Sequence, residues 1–208
     1  NMKTGKILKI LESHDAEINM LCHSQALEVL ISCSIDNILK IHQDVDILET
    51  RVLKEINLQT NPVKSLSLMD NQSRIIMGMF NGQIRFYDIS HYRYDSDLTS
   101  DNIIFNDELT CMYYFENRDL LISSHSSGVC KFIITPPNGM KFLSCYEFYN
   151  IDDKDEKNKI PITCIEFDYD YNRLICGDQL GNLSSWDLSE LFKTLARTGL
   201  NDPCNKFN

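Results

Sequence analysis

The stretch ITCIEFDYDYNRLICGDQLGNLSSWD (residues 162–187) holds two apolar runs, a turn with Gly181 and a closing Trp186-Asp187. Ile162 stands nineteen residues before Gly181 and twenty-four before Trp186. The same frame recurs upstream without a gap, with Ile18, Val63 and Leu109 in the place of Ile162. Asn37, Gly82 and Gly128 then fill the glycine position, and His42, Tyr87 and Ile133 the tryptophan position. A fixed internal period sets the architecture before any local propensity is weighed. Repeat arrays of this kind mainly present surfaces to other molecules.

Each copy predicts the same short strands. The first covers Ile18 to His23, Val63 to Leu68, Leu109 to Tyr114 and Ile162 to Phe167. A polar turn follows, and then an apolar doublet: Leu30-Ile31, Ile75-Ile76, Leu121-Ile122 or Leu174-Ile175. A doublet rather than alternation suggests a second strand buried on both faces. The glycine position falls in the next turn, where positive φ is needed; Asn37 tolerates it better than most residues. The third strand places Lys40, Arg85 or Lys131 between apolar neighbours, a period-two pattern with one side toward water. A fourth strand-like segment precedes each copy: Lys6 to Leu11, Val52 to Leu58, Asn102 to Phe105 and Phe142 to Tyr149.

The copies start 45, 46 and 53 residues apart, and the longest step contains the charged run Asp152 to Lys157, read as a solvated loop. Tyr92 to Ser100 reads as a second polar loop. Ser189 to Arg197 has a helical pattern with Leu191, Phe192 and Leu195 on one side, Ser189 as its cap and Gly199 as its stop. The copies occupy about residues 5–44, 52–89, 102–135 and 142–188, followed by a helix and tail over 189–208.

Of 208 residues, 43% are hydrophobic, enough for a substantial core, and the formal net charge is −10. The acidic balance disfavours nucleic acid and anionic membranes as partners and suits a basic protein or peptide. No apolar run reaches the length that spans a bilayer, so no membrane insertion is expected. Eight cysteines with no Cys-x-x-Cys pair, mostly inside apolar runs, read as small buried hydrophobes in a reducing compartment. The expected location is cytoplasmic, with nuclear or cytoskeletal as alternatives. Asn1 is not an initiator residue, which suggests processing or a fragment.

Four strands per copy, a period in the mid-forties and a closing Trp-Asp resemble the WD-repeat β-propeller family. In that family a His opens the copy, a Ser or Thr sits on the second strand, an Asp lies in the turn and a Trp ends the third strand. Their side chains form a hydrogen-bond network within a blade. The resemblance covers about residues 5–188 and implies an all-β fold of four-stranded antiparallel blades with a short C-terminal helix. Carried over, it implies His14, Ser32 or Ser34, and Asp36 as the network of the first copy, where His42 replaces the Trp. In the fourth it implies Trp186 and Asp187, with Asn158 and Leu180 replacing the His and the Asp.

The family usually closes with seven or eight blades, and four copies are present. The chain is therefore expected to be part of a larger ring, or to complete an eight-bladed ring as a homodimer, or to lack segments. By the family's pattern Lys6 to Leu11 would complete the blade begun at Ile162. An incomplete ring leaves blade faces and strand edges uncovered.

Binding in the family resides mostly on one ring face, built by residues entering the first strand and by the turn after the second. These are Glu17, Pro62, Glu108 and Pro161, and Ile35, Phe80, Ser126 and Gln179, with His125 nearby. Phe80 is the aromatic anchor candidate. No phosphate loop, dinucleotide fingerprint or nucleophile elbow occurs, and no His–Cys set has zinc spacing. Asp168 to Asn172 imitates the start of a calcium loop, but Arg173 and Gln179 stand where that loop needs Gly and Glu. Neither a metal nor a cofactor is expected. The expected function is a non-catalytic scaffold that docks a protein or peptide. The alternatives are a structural subunit of a ciliary, trafficking or cytoskeletal assembly, and a propeller-housed hydrolase. For the last, Asn19, Lys64, Thr110 and Thr163 are the nearest channel candidates, and they make no acid–base pair.

Overall fold

The computed structural model describes residues 4–198 apart from 8, 12–13, 45–49, 60, 95–106, 135–142 and 153–154. Blade 1 comprises β1 (Ile18–Ser24), β2 (Val29–Ser34), β3 (Ile38–Gln43) and β4 (Arg51–Asn57). Blade 2 comprises β5 (Val63–Met69), β6 (Arg74–Met79), β7 (Ile84–Asp88) and the short β8 (Arg93–Tyr94). Blade 3 comprises β9 (Leu109–Phe115), β10 (Leu120–His125), β11 (Val129–Ile134) and β12 (Leu143–Tyr149). A hairpin, β13 (Ile151–Asp152) and β14 (Asp155–Lys159), leads to blade 4: β15 (Ile162–Asp168), β16 (Arg173–Asp178) and β17 (Leu183–Asp187). The chain continues into α1 (Ser189–Thr198).

Every blade is an antiparallel meander, and in every blade the first strand carries a bulge at its second residue or opposite it. The glycine position has φ of 64° at Asn37, 83° at Gly82, 78° at Gly128 and 85° at Gly181. Each of these N–H groups donates to the carbonyl three residues earlier, at 2.9 to 3.1 Å. The frame read from the sequence is thus a backbone requirement met four times.

The first strands stand side by side in chain order, β1 by β5, β5 by β9 and β9 by β15. Side chains tie each to the next: Cys22 Sγ donates to the Leu66 carbonyl (3.8 Å), Ser65 Oγ to Met112 (3.3 Å) and Thr110 Oγ1 to Ile162 (2.6 Å). The core lies between blades in three apolar layers. The last holds Phe115, Phe132, Phe148 and Phe167, and Phe192 of α1 packs into it. Burying each such ring is worth roughly 1.5–3 kcal/mol. Arg118 stacks over Phe192 at 4.9 Å, so the amphipathic face read from Leu191, Phe192 and Leu195 is the face that docks.

The apolar doublets show where the arc ends. In blades 2 and 3 both members are fully buried. In blade 1 Ile31 is buried and Leu30 only half-buried; in blade 4 Leu174 is buried and Ile175 is 37% exposed. Doublet burial on both faces therefore holds for the inner blades, while blade 1 is open on the side facing away from blade 2, and blade 4 on the side facing away from blade 3.

Several expectations need correction. Among the described residues blade 4 has three strands, not four. The described residues of 6–11 form no strand and do not complete it. Asp152 to Lys157 is not a bare loop: it falls largely within the β13–β14 hairpin, because the backbone on either side of residues 153–154 pairs. The third-strand cation is half-buried rather than solvated, since Lys40 and Lys131 reach Glu55 (3.1 Å) and Glu147 (2.7 Å) on the outer strands. Part of the expected Tyr92–Ser100 loop forms β8, and the strand expected at 102–105 lies outside the described residues. Asp187 Oδ1, not the Ser189 side chain, accepts the N–H that opens α1, at 2.8 Å. Gly199 lies outside the described residues.

Candidate functional site

The eight face residues read from the sequence meet in pairs. The N–H of Ile35 donates to the Glu17 carbonyl (3.0 Å) and that of Phe80 to Pro62 (2.8 Å). Ser126 donates to Glu108 (2.8 Å) and Gln179 to Pro161 (3.0 Å). Each blade thus joins its entry residue to its turn after the second strand by the same bond. The bond extends the first ladder past its bulge and holds the turn at the rim of the blade.

Three rim side chains are apolar and open to solvent: Ile35 at 57%, Phe80 at 41% and Leu180 at 60%. Lys64 Nζ lies 5.1 Å above the Phe80 ring and 3.9 Å from a Glu108 carboxylate oxygen, so one ammonium bridges the rims of blades 2 and 3. Phe80 is therefore capped by a cation and is not sunk into a neighbouring blade. Glu17, Ser126 and Gln179 are exposed and Glu108 is half-buried.

His125 is placed differently. It is 1% exposed, beneath the rim rather than on it, with Nε2 3.1 Å from Ser123 Oγ and Nδ1 3.4 Å from the Asp107 carbonyl. Burial first, and Lys131 nearby, hold its pKa below the usual histidine value, against the opposing pull of Asp107. The Asp107 carboxylate binds the Ser126 hydroxyl and takes the Ser127 N–H at 2.9 Å. Burial raises its pKa, but these bonds outweigh it and hold the carboxyl below its ordinary value. Asp107 escaped the sequence reading, and Leu180 was read only as standing in for the network Asp, not as a face residue. Leu180 carried a signal, an aliphatic residue where the frame expects Asp at an exposed turn; Asp107 carried none.

The blade network is partial. In blade 1 Ser32 Oγ sits between His14 Nε2 (2.7 Å) and His42 Nε2 (2.8 Å), which selects Ser32 over Ser34. Burial lowers the pKa of both rings, helped by Lys40 and, for His42, by His14. Asp36 lies outside this chain and accepts the Ile38 N–H in its own turn at 3.1 Å. In blade 4 Trp186 Nε1 donates to Ser184 (3.1 Å) while its ring packs 5.1 Å from Phe148 of blade 3. Asp168 spends its oxygens on Asp170, Tyr171 and Arg173, closing its own hairpin turn.

A family model described as WD domain, G-beta repeat matches residues 5–43, which span the segment before β1 and the first three strands of blade 1. Residues 5–43 thus match one WD repeat, and the antiparallel blades around them fit that repeat's architecture. Its repeats are similar in sequence to cilia- and flagella-associated protein 337 B of Tetrahymena thermophila, 27% identical over 157 residues, 73% of this chain. That match spans only 12% of the relative's length. Among solved structures it resembles the computationally designed Ika8 protein, with a TM-score of 0.57 and 17% identity over 86% of this chain and 48% of the other. That likeness concerns the fold alone. WD repeats form protein-interaction scaffolds, which fits a rim of apolar side chains set among carboxylates.

Proposed function

We propose that the rim carrying Glu17, Ile35, Phe80, Glu108, Ser126 and Gln179, joined by Leu180, docks a protein or peptide, and that the chain is a non-enzymatic scaffold. The observation that supports it most is Phe80: an aromatic ring 41% exposed on a turn fixed by the Pro62 bond and capped by Lys64. Interfaces gain most from a few rigid aromatic anchors. Glu17 and Glu108, on a chain of net charge −10, would steer a basic partner toward that anchor. Of the channel candidates, Thr110 and Thr163 donate their hydroxyls to backbone carbonyls, and Lys64 contacts Phe80 and Glu108.

The test is quantitative co-purification from native cells, comparing the wild-type chain with Phe80→Ala combined with Glu108→Lys. Loss of specific partners at unchanged folding supports the rim. Unchanged recovery of every partner would show that the face is misassigned. A second reading, a stoichiometric part of a ciliary assembly, is favoured by the likeness to the Tetrahymena cilia- and flagella-associated protein. Recovery at fixed stoichiometry with axonemal fractions would separate that reading from a transient peptide reader.

A further inference from the structure

Among the described residues blade 4 ends at β17, whereas β4, β8 and β12 complete the other three blades. The outer edge of β17 is therefore an unfilled ladder among the described residues. Leu183 on it is 81% exposed. Beside β17 lies a cavity of about 210 Å³ lined by Phe132, Phe148, Leu174, Trp186, Leu188 and Leu191. It lies between the outer strands of blade 3, the end of β17 and the first turn of α1, where an added strand would place a side chain.

The chain also holds a strand-like segment whose described residues join no sheet. Residues 5–11 read Gly-Lys-Ile-Leu-Lys-Ile-Leu, and Ile7 and Ile10 are 77% and 73% exposed. The repeat match starts at residue 5, so the segment belongs to the frame of the first copy. Its place in that frame follows from β4 and β12, each of which precedes a copy yet completes the blade before it. By the same rule 5–11 completes a blade on the open side of blade 1.

The two ends are complementary. Blade 1 is open on its leading face and blade 4 on its trailing face, so a head-to-tail neighbour satisfies both at once. Residues 5–11 carry Lys6 and Lys9 and no acid, while 162–187 carries five carboxylates against one arginine. We propose that two copies of this chain close an eight-bladed ring, each adding its residues 5–11 to the other's β17 edge. Strand addition draws affinity from main-chain hydrogen bonds and specificity from side-chain pockets, here the cavity beside Trp186. Two head-to-tail contacts related by a two-fold axis form a closed assembly that cannot grow into a filament.

Sedimentation velocity on the full chain, from sub-micromolar to tens of micromolar, tests it. The expected result is a reversible dimer of twice the 24.1 kDa chain mass. The double variant Ile7→Asp/Ile10→Asp should be monomeric with an unchanged circular dichroism spectrum, because these side chains are exposed within one chain. Lys6→Glu/Lys9→Glu should weaken the dimer about three- to tenfold, as exposed charge pairs do. A synthetic peptide of residues 3–13 should dissociate the wild-type dimer. A wild-type chain that stays monomeric throughout overturns the proposal, as does a dimer that persists in the Ile7→Asp/Ile10→Asp variant.

Discussion

Gly128 faces Lys159 with no room between them: a Cβ on Gly128 would lie 2.6 Å from the Lys159 Cβ and 2.7 Å from its carbonyl carbon. The hairpin that lengthens the last copy step thus returns directly onto the turn of blade 3, and Lys159 continues over the Tyr149 ring, 3.6 Å from its centre. Gly181 fills the same position in blade 4 with open space around it and a similar φ of 85°. The pair separates backbone conformation from contact. Gly181→Ala should cost about 1–2 kcal/mol, the price of left-handed φ alone. Gly128→Ala should cost about 3 kcal/mol or more, because the backbone beyond β14 must also move. Chemical denaturation of both variants checks this; equal costs would show that the hairpin is not held against the turn.

Acid should destabilise the fold in a histidine window. His14, His42 and His125 all have pKa values lowered from 6.5, with burial the leading cause. Above pH 6.5 both folded and unfolded chains hold these rings neutral, so they give no slope. Below it the unfolded chain binds protons that the folded chain resists, and stability falls with pH until the folded rings titrate. The carboxylates of Asp88, Asp107 and Asp178 are shifted below 3.8. Their contribution is therefore lost only at more acidic pH, from about 3.8 downward. Thermal melts from pH 8 to pH 4 should be flat to about 7 and then decline, and His125→Gln should reduce the decline. A flat profile down to pH 4.5 would contradict the assignment.

Much of this fold was legible because spacing is a backbone property. A glycine or asparagine nineteen residues into each copy reports a positive φ whatever the surrounding side chains, and so the turns and their flanking strands could be placed. The rim residues were legible for the same reason, since their pairing is a main-chain bond that follows from the frame. The blade network was less so, because Ser32, Ser34 and Asp36 are equally plausible by type and only geometry shows which hydroxyl reaches both histidines. His125 misled because a histidine beside an exposed turn looks available, whereas its ring turns inward to Ser123. The β13–β14 hairpin was hidden by its charge, since backbone pairing does not need apolar side chains.

The serines of blade 1 give a sharp contrast. Ser32 links two histidine rings, whereas the buried Ser34 Oγ has no partner among the described residues. Removing the first leaves the buried His42 ring and the half-buried His14 ring without their bridge, a loss of about 1–3 kcal/mol. Removing the second deletes only an unpaired hydroxyl. Ser32→Ala should lower the denaturation midpoint clearly, while Ser34→Ala should be neutral or slightly stabilising. If Ser34→Ala proves the more damaging, the network runs through the other hydroxyl.

Thiol reactivity should report the open end of the arc. Thiolates react and thiols do not, so a cysteine must be both accessible and ionisable. Burial pushes Cys33 and Cys130 up to about 11 and Cys176 to about 12, with Cys111 higher still. Cys164 alone among the six described cysteines is exposed, and it lies beside Gly177 on the trailing face of blade 4. Brief iodoacetamide labelling of dilute native chain at pH 8, read by peptide mass mapping, should modify Cys164 well before those four. Raising the chain concentration should then slow labelling at Cys164 selectively, because a second copy's blade 1 would cover that face. Equal labelling of Cys111 or Cys176 at low concentration would mean that the blade 3–blade 4 layer opens readily. A Cys164 rate independent of chain concentration would mean that nothing covers the trailing face.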